Sequence, residues 1–278
     1  MTAGRLVAAV ATLVTFGAGT PARGGVDRPP QFIVMAFDNC TELERWQELT
    51  DFAAELNRDG ERLHFTFFVS GSNFIADGRR SIYEGPHQRR GYSRISFGGS
   101  PEQVRRRVEY VNALYRSGHE IASHAVGHFN GATWSKIDGV WRFNLAMLKI
   151  QSSGKGTLSM DYNLFFAQSH AVFDPRRYQT MREQTLQTYL HYFKTNYTGN
   201  RAPLHIGHHF MNYGGGAYNE ALKAFARAVC GLPEVRCVTY AKLADFMDQQ
   251  NAETLAAYRK GDFARAATPA LNVAQARR

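Results

Sequence analysis

Two histidines four residues apart, His124 and His128, stand in the stretch His-Glu-Ile-Ala-Ser-His-Ala-Val-Gly-His at 119–128. Four residues is about one helical turn, so both rings can leave a strand-to-helix corner on the same side. Neutral imidazole is the commonest metal-binding side chain, and two on one rigid turn are the usual start of a zinc site. The same letters also fit one surface histidine and one core histidine with a satisfied ring. Two other polar groups bear on the choice. Asp38-Asn39 closes the apolar run 31–37, and Gly207-His208-His209 closes the run 202–206. Carboxylates and imidazoles are the side chains that take and give protons near neutral pH.

The elements that must position these groups alternate. The run 31–37 reads as a strand buried on both faces. Thr41 with Glu44 reads as a capping box opening a helix to about 57. A second strand is expected at 63–69 and a long, polar, Gly-containing loop at 70–99. Ser100-Pro101-Glu102-Gln103 opens the next helix, with Ser as cap and Pro at the first position. A third strand at 119–123 follows. Strand, helix, strand, helix, strand is the pattern of a parallel sheet, and chemistry on such sheets gathers beyond the carboxyl ends of the strands. Asp38-Asn39 and His124/His128 both fall at such ends. Further on, a short helical run is expected up to about 150, and a short strand at 158–161. A long helix is expected at 177–197, whose aromatic residues read as core rather than as a sugar platform. Then come a strand running into His208-His209, a helix at 218–229, a strand at 235–239 and a helix at 240–249. Residues 251–278, rich in Ala and Arg, read as a flexible tail.

The 278 residues are 44% hydrophobic and 21% charged, enough for one sizeable core. Residues 1–22 carry one early charge, Arg5, then about fourteen uncharged residues, then small residues. That run is short for a bilayer and fits a secretory signal peptide, which implies a secreted or periplasmic protein without an integral membrane span. Three cysteines fit export: Cys230 and Cys237 flank a short loop and could form a disulfide, and three buried thiols is the alternative. The net charge of +9 is concentrated in Arg79, Arg80, Arg89, Arg90, Arg94 and 105–107. It could attract anionic glycans or membrane surfaces, but it reads more simply as a solvated face. Without interleaved aromatics it gives no sign of nucleic acid.

The chain resembles the polysaccharide deacetylase family, the NodB-homology domain of carbohydrate esterase family 4, in its chitin deacetylase-like branch. The family's T-F-D-D is Ala36-Phe37-Asp38-Asn39 here, and its H-S/T-x-x-H has the spacing of His124 to His128, preceded by a typical Gly118-His119-Glu120-Ile121. The stretch 200–209, ending in His209, and Val238-Thr239-Tyr240 are similar to the family's closing segments. The resemblance spans 31–141 and 157–248 loosely and implies an α/β fold, a (β/α) barrel of the NodB type, in a domain at 30–250. It implies metal-dependent removal of N-acetyl groups from a chitin-like or other acetylated polysaccharide or oligosaccharide. Asp38 would be the base and His209 the acid, with His208 or His205 as weaker candidates. Asn39, His124 and His128 would hold a divalent metal, most simply Zn2+. Trp141, Asp161 and His208 would contact substrate. Two departures stand out. Asn39 replaces the metal carboxylate, and no R-x-x-x-x-P-Y occurs between Trp141 and Leu158. With about six strands the barrel would be incomplete. The alternative is a catalytically impaired carbohydrate-binding relative.

Overall fold

The protein is described by a computed structural model covering residues 26–84, 89–93, 95–124, 135–137 and 140–263. The expected signal peptide at 1–22, Arg94 and His128 lie outside the described residues. In chain order the elements are β1 (Gln31–Asp38), α1 (Leu43–Leu56), β2 (Thr66–Val69), α2 (Pro101–Arg116), β3 (Glu120–Ser123), β4 (Ser135–Ile137) and β5 (Val140–Arg142). There follow β6 (Met147–Lys149), β7 (Gly156–Leu158), α3 (Asp161–Ser169), α4 (Tyr178–Thr198), β8 (Leu204–His209), α5 (Ala217–Val229), β9 (Val235–Cys237), α6 (Tyr240–Asp248) and α7 (Ala252–Lys260).

The centre is a mostly parallel sheet with helices against it, in the order β3-β2-β1-β8, with β9 also on β1. β1 is buried along almost its whole length, as its unbroken apolar run requires. Ile33 pairs with Leu204 of β8 and also with Cys237 of β9, so β8 and β9 use opposite edges of β1. β9 therefore shares the β2 edge. It is wedged into the amino-terminal half, where Cys237 also bridges Leu63, while β2 pairs only at Ala36 and Phe37. Beyond β8 the chain adds one more parallel contact, Met160 with Gly207, and the Gly207 N–H donates to the Ser159 carbonyl at 2.9 Å. Glycine is needed there: a Cβ on Gly207 would lie 2.6 Å from the Met160 sulfur. The hairpins β4-β5 and β6-β7 are antiparallel. Among the described residues the sheet does not close into a barrel.

Side chains on β1 alternate between two cores. Ile33, Met35 and Phe37 join Trp46, Phe65, Phe67, Tyr189, Phe193 and Phe225 in the main cluster under α1, α4 and α5. Phe32 and Val34 join Leu243 and Met247 under α6. The aromatic stripe of α4 lies in the main core, with Tyr189, Phe193 and Tyr197 all buried. The long loop before α2 is tied down by buried Arg107, whose guanidinium donates to the carbonyls of Asn73 (2.6 Å), Gly98 (3.2 Å) and Thr41 (2.7 Å). Arg79, Arg80, Arg89 and Arg90 are exposed on that loop. Cys230 and Cys237 form a disulfide, Cα–Cα 5.7 Å.

Several local expectations need correcting. Ser100 makes its capping box with Gln103, but Thr41 caps nothing. α1 starts at Leu43, and the Thr41 hydroxyl turns back to the Asn39 carbonyl at 3.4 Å. The helical run expected before 150 is β5 and β6 instead. Met147 and Lys149 are exposed while Leu148 and Ile150 are buried, a period of two that outweighs the helix-forming letters. At 158–161 the extended segment is shorter than expected, and Asp161 already opens α3. Residues 252–260 form α7, capped by the Asn251 side chain on the Thr254 N–H at 2.8 Å, where a flexible tail was expected. Among the described residues no helix is long and apolar enough to cross a membrane.

Candidate active site

Five polar side chains meet along the carboxyl edge of the sheet, and their spatial order is the order of the elements that carry them. His124 follows β3, Ser70 follows β2, Asp38 ends β1, His209 ends β8, and Asp161 follows the segment paired to β8. The Ser70 hydroxyl is 3.1 Å from His124 Nδ1, which leaves the other ring nitrogen, Nε2, 3.8 Å from Asp38 Oδ2. Across the carboxylate, Asp38 Oδ1 is 3.7 Å from His209 Nε2. His209 Nδ1 is 2.6 Å from Asp161 Oδ1, and its backbone N–H donates to Asp161 Oδ2 at 2.9 Å. Asp38, His124 and His209 are each 14–24% exposed, while Asp161 beneath them is 1% exposed. Tyr213 closes one side, its ring edge-on to His209 with centroids 5.6 Å apart.

Local chain geometry explains the arrangement. Asn39 has φ +50°, a left-handed conformation that Asn adopts more readily than most residues. That kink takes the backbone off β1 toward α1. The Asp38 carbonyl receives the Phe210 N–H at 3.0 Å, which holds the two strand ends together. Asp161 is the first residue of α3, and the Tyr162 N–H donates to its Oδ1 at 2.7 Å. Its carboxylate thus accepts two backbone N–H groups and one imidazole N–H, which fixes the His209 tautomer with Nδ1 protonated.

Burial pulls the His209 pKa down, but the hydrogen bond from Nδ1 to Asp161 and the charges of Asp161 and Asp38 outweigh it, so the value is raised. A raised value suits an imidazole that has to arrive protonated and then release a proton. The Asp38 carboxylate, a proton acceptor, faces it at 3.7 Å.

The expected residues do not all meet here. His128 lies outside the described residues, and Asn39 stands beside Asp38 at the strand end. His208 and Asp161 were expected to touch substrate; both are corrected. His208 is 0% exposed because β8 alternates: it pairs with Phe37 and points into the main core, whereas His209 pairs with Asp38. Asp161 lies behind His209 and holds it. Trp141 packs against the cluster under α6, and its indole N–H donates to Asp248 at 2.9 Å, so it belongs to that flank. His205 is hydrogen-bonded to Tyr240 on the same flank. Ser70 was not foreseen; the only signal for it in the sequence was a small polar residue just past the second strand. Among the described residues no group of three or more His, Cys, Asp or Glu is arranged to hold a metal ion. His124 has one ring nitrogen on the Ser70 hydroxyl and the other turned toward Asp38. No protein-family model matches the chain, and no curated protein shows significant similarity to it.

Proposed function

We propose that this edge is the active site of a metal-dependent hydrolase that removes N-acetyl groups from an acetylated polysaccharide or oligosaccharide, built on an incomplete barrel of the polysaccharide deacetylase type. The observation that carries the reading is the line Asp38–His209–Asp161, in which one imidazole has a carboxylate on each side. In this scheme Asp38 accepts the proton of the attacking water, and His209, protonated, donates from Nε2 to the leaving amine. Asp161 keeps the ring turned so that Nε2 faces Asp38. His124, His128 and Asn39 are the residues that would hold a divalent ion such as Zn2+. When bound, such an ion would supply Lewis-acid polarisation of the amide carbonyl and a more acidic water. An amide in the place of a carboxylate brings no charge to that ligand set. This favours, as a second reading, a relative that binds acetylated glycan without turnover.

Acetate release from chitin oligomers by the zinc-supplied protein separates the two. Release that disappears in Asp38→Ala, while zinc stays bound, is expected. Glycan binding without release in the wild type would favour the second reading, and neither binding nor release would overturn both.

A further inference from the structure

One buried histidine has no part in the scheme above, yet every polar atom of its ring is engaged. His208 Nε2 is 3.1 Å from the Tyr189 hydroxyl on α4, and Nδ1 is 3.3 Å from Asn219 Oδ1 on α5. The orientation of the Asn219 amide is fixed independently, because its Nδ2 donates to the Met211 carbonyl at 3.0 Å. The atom facing His208 Nδ1 is therefore an acceptor. A second acceptor, Asp161 Oδ2, faces the same nitrogen at 3.8 Å. Two acceptors at Nδ1 require its proton there, which leaves the Nε2 lone pair to receive the Tyr189 hydroxyl proton. Burial, aided by the charges of His209 and Arg45, lowers the His208 pKa despite the opposing pull of Asp161 and Asn219, so the ring is neutral.

The consequence falls on Asp161. It lies between two imidazoles, His209 at 2.6 Å in front and His208 at 3.8 Å behind. A charged ring behind would compete with His209 for the carboxylate. A neutral ring with Nε2 protonated would turn a lone pair toward it. Only a neutral Nδ1–H presents the positive end of a dipole without adding a rival cation. We propose that Tyr189, His208 and Asn219 form a buried positioning relay that holds Asp161 against His209. His208 is thus a positioning residue for the acid of the reaction proposed above, and the inference rests on that reading only for its effect on turnover.

The test is spectroscopic first. In the full-length protein labelled with 15N-histidine, long-range proton–nitrogen correlations should show His208 as the neutral Nδ1–H tautomer. A downfield His209 Nδ1 proton should report its short bond to Asp161. In Asn219→Ala the His208 proton is free to move to Nε2, and the His209 resonance should shift upfield or broaden. In Tyr189→Phe, which removes a single hydroxyl, the tautomer should persist while the His209 resonance broadens. Where acetate release is measurable, Asn219→Ala should lower kcat about tenfold with KM little changed, as for other groups that orient a reacting residue from behind. A wild-type His208 protonated on Nε2, or a His209 resonance unmoved in whichever variant folds, would overturn the relay. Spectra as expected from a protein that releases no acetate would instead overturn the hydrolytic reading and leave the relay standing.

Discussion

At the scale of single residues, the site depends on which neighbour of a pair points outward. His208 and His209 are adjacent, and the register of β8 on β1 sends one into the core and the other to Asp38. The letters alone did not settle which is which. Asp38 and His124 stand at the ends of apolar runs, while the preference for His209 over His208 came from the family resemblance. Ser70 and the true position of Asp161 were not recognisable, because both depend on which strands become neighbours. Two substitutions probe this level. Asn39→Asp should hold metal more tightly, since a carboxylate adds a full charge where an amide offers a dipole. Asp tolerates a left-handed φ about as Asn does, so the +50° turn should survive. Chelator titration should show slower loss of zinc than in wild type, and equal or faster loss would mean that Asn39 does not face the ion. Ser70→Ala removes the hydroxyl that orients His124, and zinc affinity should fall roughly 10–100-fold. Unchanged affinity in a metal titration would separate His124 from the ion.

At the scale of elements, strands and helices with strong periodicity were legible: β1, α2, α4, β8, α5 and α6 fall near their expected places. α3 was missed because no side chain caps its amino terminus and Asp161 is turned inward to His209. The segment β5-β6 was misread because leucine, methionine and lysine are good helix formers, and only burial against the sheet makes their alternation decisive. The approach of the segment before α3 to β8 depends on Gly207. Gly207→Ala should cost about 1–3 kcal/mol through crowding of Met160 and Leu145. The same change made on Met160→Ala should cost measurably less in urea unfolding, and equal costs would show that the contact is not the constraint. The Cys230–Cys237 disulfide, with a sequence separation of 7, anchors β9 to the end of α5. Replacing both cysteines by alanine should lower stability by roughly 2–3 kcal/mol, the loop entropy of so small a ring. An unchanged denaturation midpoint would show that β9 pairing alone suffices.

At the scale of the whole molecule, the parallel α/β character followed from the alternating pattern, whereas barrel closure is a relation between distant edges that no local pattern encodes. Buried histidines set the pH response. Burial first, then the charge of His64, lowers the His119 pKa from 6.5 to about 4, with the ring only 4% exposed. The unfolded chain takes up that proton as pH falls through 6.5 while the fold does not, so stability is whole above 6.5 and erodes toward 4. The loss from His119 is on the order of 3 kcal/mol. Burial also lowers the His205 pKa to about 4, so His205 acts in the same direction. His209 runs the other way. Its raised value contributes stability that is complete below its ordinary pKa and fades as pH climbs through the raised one. Urea midpoints should therefore drop between pH 6.5 and 4 in wild type, and less so in His119→Gln; a flat profile would contradict the burial argument.

The place of β9 has a consequence in time. β1 and β2 are made early, yet the gap between their amino-terminal halves is filled by residues 235–237, roughly two hundred positions later in the chain. The earliest strands therefore wait: this stretch, like the edge of β1 that takes β8, stays unpaired until most of the chain has been synthesised. Contacts of such long reach slow folding and leave intermediates with open edges. A nascent chain halted before Val235 should be cut readily by protease at β1 and β2, and should resist once residues through Cys237 have emerged.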